Sequence, residues 1–560
     1  MLKKFNLLLR TACKAQDNRF SYLRKIKSDE PNPLLALFIP YGNGWSTLIA
    51  FVCKNMEKLD RETLDSSILV IEEWLSSMKI NESLPDLARE VGLLALYWLN
   101  NIKDEYGDSK TIKSLMKIAV QCSTAVHQEL QSYIEDLIFN GDERGGDAYK
   151  KRRLCEIILK DSISVATWLI KDNPELVIRV AKKRWLVDRS LPINPFAGSS
   201  AGVSEDFGLK SSNFDFYPAS ALQGPFLAML RAKPMLGLQF IIDITNHAAN
   251  NYLYSDLDFA LEGVKLTRHS SYRDSQIVKE EDVYTDIKLL YGTVVKQICT
   301  GRLYSAYRGL SVNSYLIESA LMALENWLIE VAEHSKSIDY LELFFDFTLR
   351  NSNSVFTTAV LVSIATGFVD KVGKIALPLI GCPDLYSLDI RRFTSDRPNR
   401  VMFALHHSIY ADERRESANK PWRKTHLEEV CVLLQTKGRA EEIHSILDAF
   451  EEKYGQYDEW KYRLSRMDLR GYSVIESDAH TKDDNVIVLS SPGVDSELEA
   501  KSNAHAEMSN LYLRVMNLNM WALDKFKLDG TNQSFASHVQ VVSEIKYFLD
   551  LDKNILLKIL

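Results

Sequence analysis

Apolar residues recur at helical spacing along most of this 560-residue chain. This spacing gathers apolar side chains on one face of a helix, so it predicts amphipathic helices in series. Helix-start signals precede several of them, at Asp60, Pro85-Asp86 and Asn173-Pro174. Successive helices with short connections must pack on their neighbours, which predicts an all-α solenoid or superhelix of stacked helix pairs with a long irregular insertion. The two clearest stripes are Leu69, Ile71, Trp74, Leu75 and Met78, then Leu87, Val91, Leu94, Ala95, Trp98 and Leu99.

The same pattern divides the chain into five regions. They are an N-terminal helical repeat region (1–187), an irregular aromatic, Gly- and Pro-rich loop (188–225), a second helical region (226–470), a polar linker (471–503) and C-terminal helices (504–560). Within the second helical region the clearest stripe runs from Ser314 to Val331. Within the polar linker, the apolar run from Val486 to Leu489 predicts one short strand.

Glycine and proline are scarce outside one segment. The chain has 24 Gly and 15 Pro in 560 residues, below the average usage of about 7% and about 5%, which favours long helices over turn-rich folds. Residues 188–225 depart from this, and loops of such length are usually functional or disordered. Aromatic residues argue against disorder. We therefore expect this loop to pack over the helices or to bind a partner through Phe214, Phe216 and Tyr217.

Charge and cysteine content point to an ordinary intracellular protein. The net charge of −7 gives no general attraction to nucleic acid or to anionic membranes. Seven cysteines, widely spaced, form neither a disulfide framework nor a CxxC metal motif. The longest apolar stretch, Phe356 to Val369, falls short of the roughly 20 residues that span a bilayer. The sequence thus predicts a cytoplasmic protein without a membrane anchor, with no cofactor and no metal.

Catalytic motifs are weak. The only Gly-Lys pair, Gly373-Lys374, is followed by Ile375 where a phosphate-binding loop needs Ser or Thr. Asp384 and Asp389 resemble a nuclease carboxylate pair only faintly, because no β pattern flanks them. His406 and His407 lack the HExxH spacing of a metal site. Whether the chain is an enzyme stays open, with a non-enzymatic role favoured.

Basic clusters offer an alternative function. Arginines accompanied by an aromatic residue could bind nucleic acid, because a base can stack on the aromatic ring. Neighbouring acids such as Asp412 and Glu416 offset the charge, so solvated helix faces are the favoured interpretation. The candidate nucleic-acid residues are Arg391, Arg392, Arg414, Arg415, Trp422 and Arg423.

Several phrases resemble the C-terminal, tetratricopeptide-like sensor region of bacterial antiviral STAND NTPases of the Avs type. They are Pro40-Tyr-Gly-Asn-Gly-Trp45, Val70-Ile-Glu-Glu-Trp-Leu75, Tyr307-Arg-Gly309, the run from Ser319 to Leu328, and Arg414-Arg-Glu416. The resemblance implies a sensor that grips a phage protein, such as the terminase or the portal protein, and assembles with further copies. The ATPase motifs of that family have no counterpart in this sequence, so no ATP-site residue is carried over.

The leading hypothesis is therefore a non-enzymatic helical-repeat protein that binds a protein partner, a phage protein if the resemblance holds. Aromatic and arginine side chains anchor protein interfaces best, so the candidate partner-binding residues are Phe214, Phe216, Tyr217, Tyr307 and Arg308. Self-association stays open. The alternative is a metal-dependent nuclease or nucleic-acid-binding helical protein, and a third reading is a scaffold subunit.

Overall fold

The structure is a computed structural model, and the chain is mostly helical, with small strands. The all-α prediction therefore holds at this coarse level. The residues that the structure describes are 10, 43–102, 109–141, 147–187, 203–210, 216–255, 257–263, 276–334, 339–396, 408–475, 488–490, 511, 514, 515, 518 and 538–550.

Eleven α-helices precede the first strand in the described residues. They are α1 (Asn43–Lys54), α2 (Arg61–Ser76), α3 (Leu87–Asn101), α4 (Ser109–Gln121), α5 (His127–Ile134), α6 (Ala148–Ile158), α7 (Ala166–Asp172), α8 (Pro174–Trp185), α9 (Val203–Asp206), α10 (Phe226–Ala232) and α11 (Pro234–Leu253). A π-helical turn, Glu135–Asn140, extends α5.

Twelve more α-helices follow in the described residues. They are α12 (Gly301–Ser305), α13 (Tyr315–His334), α14 (Asp339–Asn351), α15 (Val355–Gly367), α16 (Val369–Val372), α17 (Leu377–Ile380), α18 (Pro383–Asp396), α19 (Ile409–Ala418), α20 (Leu427–Leu434), α21 (Ala440–Tyr454), α22 (Asp458–Met467) and α23 (His538–Leu549). Shorter 3-10 turns join some of them, including Ala306–Arg308 and Pro421–Lys424.

The strands form three separate pairs among the described residues. They are β1 (Ala260–Leu261) with β2 (Ile277–Val278) in parallel, β3 (Tyr284–Lys288) with β4 (Val294–Ile298) antiparallel, and β5 (Ser473–Ile475) with β6 (Val488–Ser490) antiparallel. β6 includes Val488 and Leu489 of the strand predicted at Val486–Leu489, and the first two residues of that prediction lie outside the described residues. The hairpin β3–β4 corrects the uniform helical prediction for 226–470, because a glycine at φ 86°, Gly292, lets the chain reverse between two strands.

The chain divides into two compact units. The first comprises residues 1–252 and 314–327, and the second comprises residues 253–313 and 328–560. These two units are defined by contacts between residues, whereas the five regions given above were defined by the sequence pattern. The boundaries of those regions stay predictions.

Neighbouring helices in the first unit pack on one another in succession. Helix α3 packs on α1, α4 packs on α2 and α3, α6 packs on α4, and α8 packs on α6 and α7. Two of the three predicted start signals act as side-chain caps, whereas Asp86, before α3, makes no capping hydrogen bond. The Asp60 carboxylate accepts a hydrogen bond from the Thr63 amide at 2.9 Å, and the Asn173 side chain accepts one from the Leu176 amide at 3.2 Å. Each cap satisfies an amide that the helix itself leaves unpaired.

Helix α15 lies at the centre of the second unit. Every residue from Val355 to Thr366 is buried, so the helix packs against neighbours on every side. These neighbours include α12, α14 and α20. Among the described residues no single helix is long and apolar enough to cross a membrane, although α15 with Val369–Ile380, bent by 104°, passes the length and composition test as a pair.

Candidate functional site

Residues 216–225 form an anchored segment in the first unit. The Ser162 hydroxyl donates a hydrogen bond to the Gly224 carbonyl at 2.8 Å, and the Ser162 amide donates to the Leu222 carbonyl at 2.9 Å. On the other side, the Ser220 amide donates to the Ser319 hydroxyl at 3.2 Å. These bonds tie the segment both to the turn before α7 and to α13, so its backbone is held in one conformation.

The two aromatic residues at the start of this anchored segment lie in different environments. Phe216 is half-buried, and its ring lies 5.7 Å from that of Trp185, edge on. Tyr217 is 48% exposed, and its ring rests against Tyr315 at 5.2 Å. Tyr217 is thus an exposed aromatic side chain that packs against the ring of Tyr315.

Residues 203–210, which precede the anchored segment, also contact helix α11. The imidazole of His247 lies 2.9 Å from the Gly208 carbonyl oxygen. Gly208 has a φ of 65°, and a β-carbon there would lie 2.4 Å from the Asn251 side chain, so glycine is required at this close approach. Phe214, the third aromatic residue predicted to contact a partner, lies outside the described residues.

The other two predicted partner residues, Tyr307 and Arg308, lie in the interior of the second unit. Their exposed fractions are 1% and 3%. The Arg308 guanidinium donates to the Asp396 carboxylate, with Nη2 at 3.0 Å and Nε at 3.1 and 3.2 Å from its oxygens. In this arrangement the arginine binds a carboxylate of its own chain rather than presenting itself at the surface.

A second carboxylate, Asp389, completes a buried arginine–aspartate cluster, which we define as Arg308, Arg392, Asp389 and Asp396. The Arg392 guanidinium donates to Asp389 at 3.0 Å. The Tyr304 hydroxyl donates to the same carboxylate at 3.0 Å. The other oxygen of Asp389 accepts the Leu427 amide at 2.8 Å, and this caps helix α20.

The remaining candidate nucleic-acid residues are divided between this interior and the surface. Arg414 and Arg423 are buried, with Arg414 donating to the Arg308 carbonyl at 2.7 Å and Arg423 to the Ser363 hydroxyl at 2.9 Å. Trp422 is half-buried against Phe368 at 5.3 Å. Only Arg391 is exposed, while Arg415 is half-buried, among these six. They do not form one continuous basic surface.

The electrostatics of the cluster match this geometry. Burial opposes ionisation of the Asp396 carboxyl, but Arg308, with Arg423 and Arg392, outweighs burial and lowers the pKa of Asp396. Burial together with the nearby Asp389 raises the pKa of Tyr304 well above its ordinary value. Ion pairs in such an interior keep their charge because each partner stabilises the other. The cluster therefore holds α18, α20 and the turn Ala306–Arg308 together.

The carboxylates proposed for the nuclease alternative do not converge on one another. Asp389 is used by the cluster described above, whereas Asp384 accepts a hydrogen bond from the Thr285 hydroxyl at 2.5 Å. Within the described residues, no three His, Cys, Asp or Glu side chains form a group that could hold a metal ion. His406 and His407 lie outside those residues.

The sequence contained a signal for the buried cluster that the basic-patch interpretation missed. Asp389, Arg392 and Asp396 are spaced by three and four residues, so their side chains share one face of a helix. Acids on both sides of an arginine at this spacing indicate an ion pair within the helix rather than an arginine available to a ligand.

Comparisons with known proteins do not assign a family or a function to this chain. No protein-family model matches the chain, and no curated protein matches it at a significant level. Function is therefore argued from the geometry of the described residues.

Proposed function

We propose that this protein is a non-enzymatic helical-repeat protein that binds another protein. By the resemblance given above, the partner is a phage protein recognised in antiviral defence. Residues 43–187 would form a solenoid of stacked helix pairs. The succession in which α1 to α8 pack on one another supports this arrangement, because each helix of a solenoid contacts chiefly its near neighbours.

The observation that carries the proposal is the exposed Tyr217 on the anchored segment. A tyrosine offers a large apolar contact area with little rotamer entropy to lose. Because residues 216–225 are already held by hydrogen bonds to Ser162 and Ser319, binding would not have to order this anchored segment. Preorganisation of this kind raises affinity by lowering the entropic cost of association.

Photo-crosslinking at that position tests the proposal. Tyr217→p-benzoylphenylalanine, irradiated in phage-infected bacterial cells, should give a discrete crosslinked protein that is absent from uninfected cells. The control is Tyr457→p-benzoylphenylalanine, because Tyr457 is similarly exposed at 55% but lies in the second unit. The same crosslinks at both positions, or none at Tyr217, would contradict a binding site there.

A further inference from the structure

A continuous groove runs along one face of the first unit, away from Tyr217 in the sequence. One part is a cleft of about 790 Å³ between α3 and α5, and the other is a cleft of about 640 Å³ between α1 and α3. The two clefts share Met56 and Leu93 as lining residues, so they meet. Volumes of this size are typical of sites that hold a ligand.

The floor of the groove is apolar. Phe51, which is 48% exposed, lines one end, and Leu96, Tyr97 and Leu137 line the other. An exposed phenylalanine beside further apolar side chains is the kind of surface that a protein partner covers.

The rim of the groove is acidic. Glu90, Glu129, Asp136 and Asp147 lie along it, and Lys54 is the one exposed cation among the described lining residues. The carboxylate of Glu129 already accepts a hydrogen bond from the Arg89 guanidinium at 2.7 Å. Lys150 also lines it, but its ammonium group is buried and donates to the carbonyls of Leu99 at 3.0 Å and Ile102 at 2.7 Å. The same ammonium group lies 3.5 Å from the Asp147 carboxylate. Among the described residues, Glu90 and Asp136 are therefore the rim carboxylates that remain for an occupant.

One polar group lies unpaired within the groove. The Tyr133 hydroxyl is buried and has no hydrogen-bond partner among the described residues. A buried hydroxyl without a partner is costly. Because that oxygen is enclosed by the chain in this structure, an occupant on the surface of the groove does not reach it.

We propose that this groove binds a basic amphipathic helix of a partner protein. The apolar face of the helix would lie on Phe51, Leu93 and Tyr97, and its lysine or arginine side chains would pair with Glu90 and Asp136 on the rim. Helix-in-groove recognition uses this division between an apolar stripe and flanking charges. The proposal concerns a different surface from Tyr217, so it does not depend on that site.

The probe for the test is a synthetic peptide of about 14 residues, made of leucine and lysine with the leucines at helical spacing. A second peptide, matched in length and leucine spacing, carries glutamate in place of lysine. Fluorescence anisotropy with the full-length chain should show binding of the lysine peptide, and at least about tenfold weaker binding of the glutamate peptide. Equal affinity for the two peptides would overturn the proposal.

Variants of the chain locate the binding. Glu90→Lys combined with Asp136→Lys should weaken the lysine peptide about tenfold or more, and Phe51→Ser should also weaken it. The control, Glu441→Lys combined with Glu452→Lys, changes the net charge equally on exposed positions of α21, and should have little effect. Equal losses in the two charge-reversed pairs would mean general attraction to an acidic protein and would overturn the groove as the site.

The chain also contains a basic segment of its own. Residues 1–42 hold eight Lys and Arg against three Asp and Glu. If that segment were the natural occupant, Arg24→Glu with Lys25→Glu and Lys27→Glu would free the groove and tighten binding of the lysine peptide. This result would overturn the proposal of a partner helix, whereas unchanged affinity upholds it.

Discussion

Arg308 and Asp396 form an ion pair on which the interior of the second unit depends. Both side chains are nearly inaccessible, at 3% and 7% exposure. A charge in such a place is tolerated only when a partner of opposite sign and further hydrogen bonds compensate for lost hydration. Removing one partner leaves the other buried and uncompensated, so the pair is expected to be sensitive to a single substitution.

Asp396→Asn should lower the free energy of unfolding by about 3 to 5 kcal/mol, the usual cost of breaking a buried pair. It should also alter the pH dependence. Because the pKa of Asp396 is lowered in the folded chain, its contribution is present above the unfolded value of about 3.9 and is lost as pH falls through the folded value.

Urea unfolding between pH 7 and pH 3 measures both effects. The wild-type chain should lose stability in the acid range more steeply than the variant does. Asp282→Asn is the control, because Asp282 is exposed in the same unit. A variant as stable as the wild type, with the same acid profile, would show that the pair contributes nothing.

The cysteines make a second prediction at the residue scale. Six described cysteines have free thiols, and all are buried except Cys299, which is half-buried. Burial raises the pKa of Cys122 to about 12 and that of Cys382 to about 11. Since the thiolate is the reactive form, a Cys13→Ser chain should be almost unlabelled by a disulfide exchange reagent at pH 8, and fully labelled in guanidinium. Rapid labelling of the folded chain would contradict this burial.

At the scale of elements, Gly237 controls how closely α11 approaches α10. A β-carbon at Gly237 would lie 2.8 Å from the backbone nitrogen of Leu230. Backbone atoms cannot move aside as a side chain can, so Gly237→Ala should push the helices apart.

The expected loss for Gly237→Ala is about 1 to 3 kcal/mol in the free energy of unfolding, as for other overpacked sites. Gly301→Ala is the matched control, because nothing lies within 4 Å of the added carbon at the start of α12. That substitution should be neutral or slightly stabilising, since alanine restricts the unfolded chain. Equal melting temperatures for the two variants would contradict the close packing of α10 and α11.

Helices were predictable where local signals agreed with the tertiary packing. Asp60 and Asn173 cap the helices they were expected to begin, and the apolar residues of the predicted stripe, from Leu316 to Val331, lie within α13. The hairpin β3–β4 was not predicted, because its strands have only five residues each and lie among longer helical stripes. Of the candidate site residues, Tyr217 was singled out by the composition of its segment, and its role in binding stays a prediction. The buried ion pair of Arg308 depends on Asp396, 88 positions away, which no local pattern reveals.

At the scale of the whole molecule, the charge distribution argues against nucleic-acid binding. The chain carries a net charge of −7, and three of the six candidate nucleic-acid residues, Arg392, Arg414 and Arg423, are buried. A labelled single-stranded DNA of about 20 nucleotides should therefore show no change in anisotropy at low salt. Binding that weakens steeply as salt rises would contradict this expectation, because it reports contacts with phosphates.

The central claim is that the chain binds a protein partner through Tyr217. Its most direct test is quantitative affinity purification from phage-infected bacterial cells, comparing the wild type with Tyr217→Ala and with the control Tyr457→Ala. Both substitutions remove an exposed tyrosine, so neither should affect folding, and circular dichroism checks that.

The account predicts that one protein, enriched by the wild type and by Tyr457→Ala, is reduced about tenfold or more with Tyr217→Ala, the loss expected for an interface anchor. The same recovery with all three chains, or no enriched protein, would contradict it.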